Sequence, residues 1–324
     1  MSDVKRYVDI FNGDADGLCA LHQLRMAFPV EAILVTGVKR DIALLERVQA
    51  AKGDQLTVLD ISLDANCEAL RRHLAAGAEV LYFDHHTARH AFNHPYLERH
   101  WSNAGDVCTS ILVSQYLQDR YIVWAIVAAF GDNLQSVARG LASRHGLNEA
   151  DSNVLQELGQ LLNYNSYGER VEDLHIHPAA LYQELHRYSD PFAFIHESSY
   201  FLALQYAYSL ESASVAELRP YAIGRKCAIY ILPDTLWSHR LSGVLANNLI
   251  QNEPFRSFAV LTPQKEQGYL VSVRSAEPDR KPASSLCLGF DEGGGRSAAA
   301  GINHLDEQLR DVFCRRFLDY FEAA

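Results

Sequence analysis

The sequence contains no Cys-x-x-Cys pair: its six cysteines, at 19, 67, 108, 227, 287 and 314, are scattered singly. That spacing makes neither a zinc knuckle nor a disulfide framework. The expectation is buried, reduced thiols in a cytoplasmic protein. A basic stripe is also missing, since Lys and Arg occur singly or in pairs and the formal net charge is -11. Proteins that track long nucleic acids neutralise many phosphates with clustered basic side chains, so a small phosphorylated partner is expected instead. The longest apolar run, Ile122 to Phe130, falls well short of the ~20 residues of a membrane helix and reads as a core helix. Met1 to Arg6 run into a strand-like segment with no apolar signal-peptide core. Repeats and low-complexity segments are absent as well.

What is present is an ordinary globular composition, 48% hydrophobic and 21% charged over 324 residues, enough for about two domains. The first third alternates strand and helix signals. Strands are expected at Tyr7–Phe11, Ala32–Val38, Leu56–Ile61 and Val80–Phe83, and helices at Leu18–Phe28 (stopped by Pro29), Ile42–Ala51 and Ala65–Ala76. Strict alternation implies an α/β domain with a parallel sheet. From Gln115 to about Pro191 the pattern turns helical. A second, smaller mixed α/β domain follows, with strands at Cys227–Leu232, Ser257–Leu261 and Tyr269–Val273 and helices at Leu241–Ile250 and along the amphipathic tail. We assign residues 1–195 to the first domain with its helical extension and 196–324 to the second, in which Gly293-Gly294-Gly295 is the most flexible point.

Open parallel sheets bind ligands beyond the carboxyl ends of their strands. Asp14 and Asp16 follow the first strand, Asp60 ends the third and Asp84 ends the fourth, so four carboxylates share one rim. Such crowding is electrostatically costly without a cation. The Asp14-Ala15-Asp16-Gly17 turn alone also suits a phosphatase nucleophile of the haloacid-dehalogenase kind, a calcium-like loop or a structural turn. Asp84-His85-His86 adds two imidazoles that point different ways, one for a divalent ion such as Mn²⁺ and one for substrate, with Asp84 able to hold a histidine tautomer. Gly131-Asp132 is by itself a helix-ending turn, and beside the other three segments it is a candidate final ligand.

The order Asp14-x-Asp16-Gly17, Asp60, Asp84-His85-His86, Gly131-Asp132 resembles the DHH phosphoesterase superfamily, in its DHH–DHHA1 branch of oligoribonucleases, dinucleotide phosphodiesterases and RecJ-type exonucleases. Val273-Arg274-Ser275 and the run Gly293 to Gly301 resemble the substrate-binding motif of the DHHA1 domain. The resemblance implies two Mn²⁺ ions, with Mg²⁺ or Co²⁺ as substitutes. Asp14 and Asp60 would serve one, and Asp16, Asp60, His85 and Asp132 the other. It implies that His86, supported by Asp84, meets the scissile phosphate. Arg274, Ser275, Gly293, Gly294, Gly295 and Arg296 would hold the far end of the substrate, and the segment Gly105 to Ser110 would approach the metals. Two departures stand out. Ile10 replaces the histidine that many relatives carry four residues before the first aspartate, with Asn12 as a weak substitute. Arg296 replaces the histidine that usually follows the glycines, and its guanidinium suits a terminal phosphate or a guanine edge.

The expected activity is hydrolysis of short phosphodiesters, linear dinucleotides such as pGpG or few-nucleotide RNA, to 5′-mononucleotides. The partner is a small nucleotide or short oligonucleotide, with no long nucleic acid and no membrane. The alternatives are a phosphatase for 3′-phosphoadenosine 5′-phosphate and a nucleotide-binding sensor that has lost turnover.

Overall fold

The computed structural model describes residues 5–265 and 267–323; Met1 to Val4, read above as a leaderless start, lie outside the described residues. The chain divides into two compact units, 1–208 and 209–324.

The first unit is built on five parallel strands: β1 (Tyr7–Asn12), β2 (Ile33–Gly37), β3 (Gln55–Leu59), β4 (Glu79–Asp84) and β5 (Leu97–Trp101), in the order β2-β1-β3-β4-β5. The order reverses between β1 and β3, which makes their carboxyl ends the switch point of the sheet. Helix α1 (Ala15–Ala27) follows β1 and α2 (Leu63–Ala75) follows β3. Alternation along the strands sends Val8, Ile10, Val58 and Tyr82 to one face and Phe11, Leu59 and Phe83 to the other, where separate cores form.

One expectation fails here and one strand was not foreseen, each for a local reason. Ile42–Ala51 is not an α-helix; only a short 3₁₀ turn forms, at Leu44–Arg47. Asn66 on α2 accepts from the Leu45 N–H at 3.1 Å and donates to the Ile42 carbonyl, and the His73 ring meets the Leu45 carbonyl at 3.0 Å. Leu44, Leu45 and Val48 are buried in the core, so side chains of α2 satisfy backbone groups that a helix would have satisfied itself. The other miss is β5, whose Leu-Glu-Arg-His-Trp sequence lacks an apolar alternation because the strand lies on the sheet edge.

The helical stretch contains α3 (Thr109–Tyr116), α4 (Ile122–Gly131), α5 (Gln135–Arg144), α6 (Glu149–Tyr164), α7 (Pro178–Leu185), α8 (Pro191–Glu197) and α9 (Ser199–Ala216). The two units part within α9, so the last residues of α8 and the start of α9 fall in the first unit, where a boundary after 195 puts them in the second. Phe194, Phe201 and Leu204 are buried in the first unit's core, which explains their allegiance. The crossing of α4 and α6 is tight. A Cβ on Gly159 would lie 2.3 Å from the Val127 carbonyl oxygen and 2.9 Å from the Gly131 nitrogen. This close approach fixes the end of α4, and so the residue after it, Asp132.

The second unit carries six strands: β6 (Ala222–Ile223), β7 (Cys227–Ile231), β8 (Ser257–Gln264), β9 (Gly268–Arg274), β10 (Gly293–Gly295) and β11 (Ala299–Asp306), ordered β10-β11-β9-β8-β7-β6. Only β7 and β8 run parallel, so the sheet is mixed. Its helices are α10 (Leu236–Asn252), α11 (Ala283–Cys287) and α12 (Arg310–Glu322). Gly293-Gly294-Gly295, expected as a flexible point, is instead the short strand β10, paired with Ile302, Gly301 and Ala300 of β11. Glycine is required there for packing: a Cβ on Gly293 would meet the Cys287 carbonyl oxygen at 1.8 Å, and Gly295 holds φ at +132°. All six cysteines are free and buried, and no helix among the described residues is long and apolar enough to cross a membrane.

The packing of the first unit makes two predictions about stability. Gly159→Val forces α4 and α6 apart and lowers unfolding free energy by ~1–3 kcal/mol; urea unfolding checks it, and an unchanged midpoint would refute the close-packing argument. The second concerns His22, buried on α1 edge-on to Trp124 with its Nδ1 3.1 Å from His186 Nδ1. Burial, with His186 adding to it, pushes its pKa down to about 3. The unfolded chain therefore binds a proton there below pH ~6.5 that the native chain refuses. This contribution is whole above that pH and is lost as pH falls towards 3, at ~1.4 kcal/mol per pH unit. His22→Leu should flatten the acid limb by that slope.

Candidate metal centre

The rim of the first sheet is assembled from loops that leave adjacent strand ends. Asp14 caps α1: its Oδ1 accepts from the Asp16 and Gly17 N–H groups at 3.0 and 3.1 Å. Asp16, in the first turn of α1, is held by the amino end of α3, where the Thr109 and Ser110 N–H groups each donate to its carboxylate at 2.7 Å. Asp60 follows β3 with φ at +59°, a conformation uncommon outside glycine. Its N–H donates to the Phe83 carbonyl at 3.1 Å, and its Oδ1 accepts from the Thr109 hydroxyl at 3.2 Å. A strained residue so fully held marks a place where the fold needs that side chain.

Asp84 ends β4 and turns back into the protein. Its Oδ1 accepts from the His86 N–H at 3.2 Å and meets His86 Nδ1 at 2.6 Å. It therefore orients His86, whose side chain is 40% exposed, while Asp84 itself is buried. His85 is buried and points among the other carboxylates: Nε2 lies 3.4 Å from Asp60, 3.8 Å from Asp132 and 3.9 Å from Asp16. Asp16, His85 and Asp132 form one convergent trio, and Asp60, His85 and His86 a second.

The electrostatics reflect this crowding. Burial first, then Asp14 and Asp16, push the Asp60 carboxyl well above the usual range. Burial also raises Asp132, against the pull of Lys39. His85 is driven the other way to burial's preference, up to about 10, by Asp60, Asp16 and Asp132. Three hard oxygen donors around one imidazole, divided between two trios that share His85, fit a divalent cation of the Mn²⁺ class.

No family model and no curated protein sequence matches the chain. Solved structures do. RecJ of Thermus thermophilus, in complex with Mn²⁺, superposes with a TM-score of 0.55 at 20% identity over 98% of this chain and 52% of RecJ. This chain thus spans about half the length of that protein. The pGpG-specific phosphodiesterase PggH of Vibrio cholerae gives 0.59 at 13% identity, over 98% and 99% of the two chains. A manganese-bound exonuclease RecJ gives 0.51 at 20% identity, over 99% and 91%. The chain shares its fold with these three proteins. At these identities the likeness speaks for the fold.

Within this fold the residues singled out from the sequence are placed unevenly. Asp16, Asp60, His85 and Asp132 converge, and the segment ending at Ser110 approaches them through Thr109 and Ser110. Asp14 enters neither trio, although its carboxylate lies against that of Asp60. Ile10 packs in the core face of the sheet and offers no donor. Asn12 accepts from the Asp14 N–H at 3.2 Å and donates to the Lys39 carbonyl at 3.0 Å, so it ties two loops together. Lys39 escaped the sequence reading. Its Nζ pairs with Asp14, donates to Asn163 Oδ1 at 3.2 Å and lies 3.7 Å from Asp132. The signal was there: Lys39 comes two residues after β2, on the same carboxyl rim as the aspartates.

In the second unit the candidate substrate residues gather at one end of the sheet. Arg274 ends β9 opposite Ala299, beside the turn from Gly295 to Ala299 that carries exposed Arg296. The Arg274 Nε donates to Asn247 Oδ1 at 2.9 Å. Ser275 is less available than its motif suggests: its hydroxyl donates to the Lys281 carbonyl at 2.7 Å and accepts from the Glu277 N–H at 3.2 Å.

Because Thr109 supports Asp60 from behind, Thr109→Val should weaken Mn²⁺ binding by ~10–100-fold, the usual cost of losing a partner of a metal-ligating group. Isothermal titration with Mn²⁺ reads this directly, and unchanged affinity would mean that Asp60 is not a ligand.

Proposed function

We propose that this chain is a divalent-metal-dependent phosphoesterase that hydrolyses short phosphodiesters, linear dinucleotides such as pGpG or few-nucleotide RNA, to 5′-mononucleotides. The observation that carries the reading is the convergence of Asp16, Asp60 and Asp132 on His85 Nε2, all within 3.9 Å. A Mn²⁺ ion, or Mg²⁺ or Co²⁺ in its place, bound by those four groups supplies an activated water and charge neutralisation at the phosphate.

The chain's own residues supply the rest. Asp84 fixes the His86 ring through Nδ1, which leaves Nε2 for the substrate, and the doubly protonated ring donates there to a phosphate oxygen or a leaving group. Arg274 and Arg296 are suited to the terminal phosphate or base, where a planar guanidinium binds two oxygens at once. The acidic net charge of -11 favours a small substrate over a long polymer. PggH, whose full length this chain matches in fold, is a pGpG-specific phosphodiesterase, which supports a dinucleotide as the first substrate to test. RecJ, an exonuclease, supports the few-nucleotide alternative.

Mn²⁺-loaded protein should release 5′-mononucleotides from pGpG or pApA faster than from a five-nucleotide RNA, and leave 3′-phosphoadenosine 5′-phosphate intact. Chromatography of the products decides. Phosphate release from the bisphosphate nucleotide alone would make the protein a phosphomonoesterase. Binding of these nucleotides without any product would make it a sensor, and either result overturns the proposal. Arg296→Ala should raise KM for pGpG by ~10-fold or more, the loss of one charge-assisted contact, with kcat less affected.

A further inference from the structure

The sequence leads to two cations, one on Asp14 and Asp60 and the other on Asp16, Asp60, His85 and Asp132. The structure furnishes these two places very differently. Around the second stand three carboxylates and an imidazole. Around Asp14 the donors run out: Ile10 is core, the Asn12 amide is committed to the Asp14 N–H and the Lys39 carbonyl, and the trio Asp60–His85–His86 shares its first two members with the second place while Asp84 holds His86. Asp14 has one carboxylate oxygen capping α1 and the other paired with the Lys39 ammonium, and its carboxylate also meets that of Asp60.

Lys39 is held there from several directions. Its backbone N–H donates to the Ser166 carbonyl at 2.9 Å, and its carbonyl accepts from Asn12. Its ammonium reaches Asp14, Asn163 at 3.2 Å and Asp132 at 3.7 Å, above the Tyr167 ring with Nζ 6.0 Å from the centroid. The ammonium thus lies between the carboxylate assigned to the first cation and a carboxylate assigned to the second. A divalent ion on Asp14 would touch a fixed positive charge, with fewer ligands than such ions take.

We propose that Lys39 stands in for the first cation, so that the centre binds one divalent ion rather than two. This rests on the metal-dependent reading above. The lysine supplies a permanent single charge beside the bound phosphate, and the ion on Asp16, Asp60, His85 and Asp132 is the only exchangeable one. A compact ammonium suits this place, since it presents three donors to the three oxygens around it.

Metal content and spectroscopy test the proposal without an activity assay. After loading with Mn²⁺ and gel filtration, the wild-type chain should carry one Mn²⁺ by elemental analysis, with the six-line electron paramagnetic resonance spectrum of an isolated ion. Lys39→Ala frees Asp14 and opens space, and should admit a second Mn²⁺, seen as a doubled metal content and an exchange-coupled spectrum. Lys39→Arg keeps the charge and should stay at one ion, and circular dichroism verifies that both variants fold. Two coupled Mn²⁺ ions in the wild-type chain would overturn the inference and leave the phosphoesterase reading standing. A single ion in both wild type and Lys39→Ala would also overturn it, since Lys39 would then exclude nothing. No bound Mn²⁺ in the wild type would overturn both readings. If Lys39→Ala fails to fold, the wild-type stoichiometry and spectrum decide alone.

Discussion

Like charges do not share a small buried space unless something of opposite charge joins them. Asp14, Asp16, Asp60 and Asp132 are held together at one edge of a parallel sheet; the first three are tied to backbone or side-chain donors that prevent them from turning away, and Asp132 faces Lys39 and His85 at 3.7 and 3.8 Å. The protein answers this repulsion in two ways. Lys39 brings positive charge from the chain itself, and the carboxylates gathered around His85 suit further charge from solution. The loops at the carboxyl ends of β1 to β4 are arranged around that balance, including the left-handed backbone at Asp60 and the amino end of α3 laid against Asp16.

The scaffold transmits the same requirement outward. The reversal of strand order between β1 and β3 opens the crevice where Asp14, Asp16 and Asp60 meet. The glycine-mediated crossing of α4 and α6 brings Asp132 to the crevice from a helix bundle distant in sequence. Asp84 works differently from its neighbours: it takes no place among the converging ligands and fixes His86 instead. Two adjacent histidines thereby acquire separate tasks, one buried among carboxylates and one half-exposed beside them. The second unit gathers Arg274 and Arg296 at one end of a mixed sheet, with glycines at Gly293 and Gly295 because no other residue fits against Cys287 and Ala300.

Much of this was legible from local pattern. Strand–helix alternation announced the parallel sheet, and the placement of Asp14, Asp16, Asp60 and Asp84 at strand ends announced the rim, because both depend on short-range periodicity and on where turns fall. The segment Ile42–Ala51 misled, since its helical spacing was overridden by Asn66 and His73, which satisfy its backbone from another element. β5 went unseen because an edge strand need not alternate. The triple glycine looked mobile because composition reports freedom of the chain, whereas pairing with β11 removes it.

The sequence by itself determined which groups are available: carboxylates and imidazoles after buried strands, a guanidinium beyond three glycines, and no basic stripe. Residue type and strand periodicity are local properties, and they suffice for that inventory. Only the tertiary structure decided how the groups are shared out. It set His85 at the meeting point of Asp16, Asp60 and Asp132, turned Asp84 to His86, and pressed Lys39 against Asp14. Except for Asp84 and His86, those pairings join residues 25 to 69 apart in the chain, and Coulomb interactions depend on distance in space, which spacing along the chain does not carry.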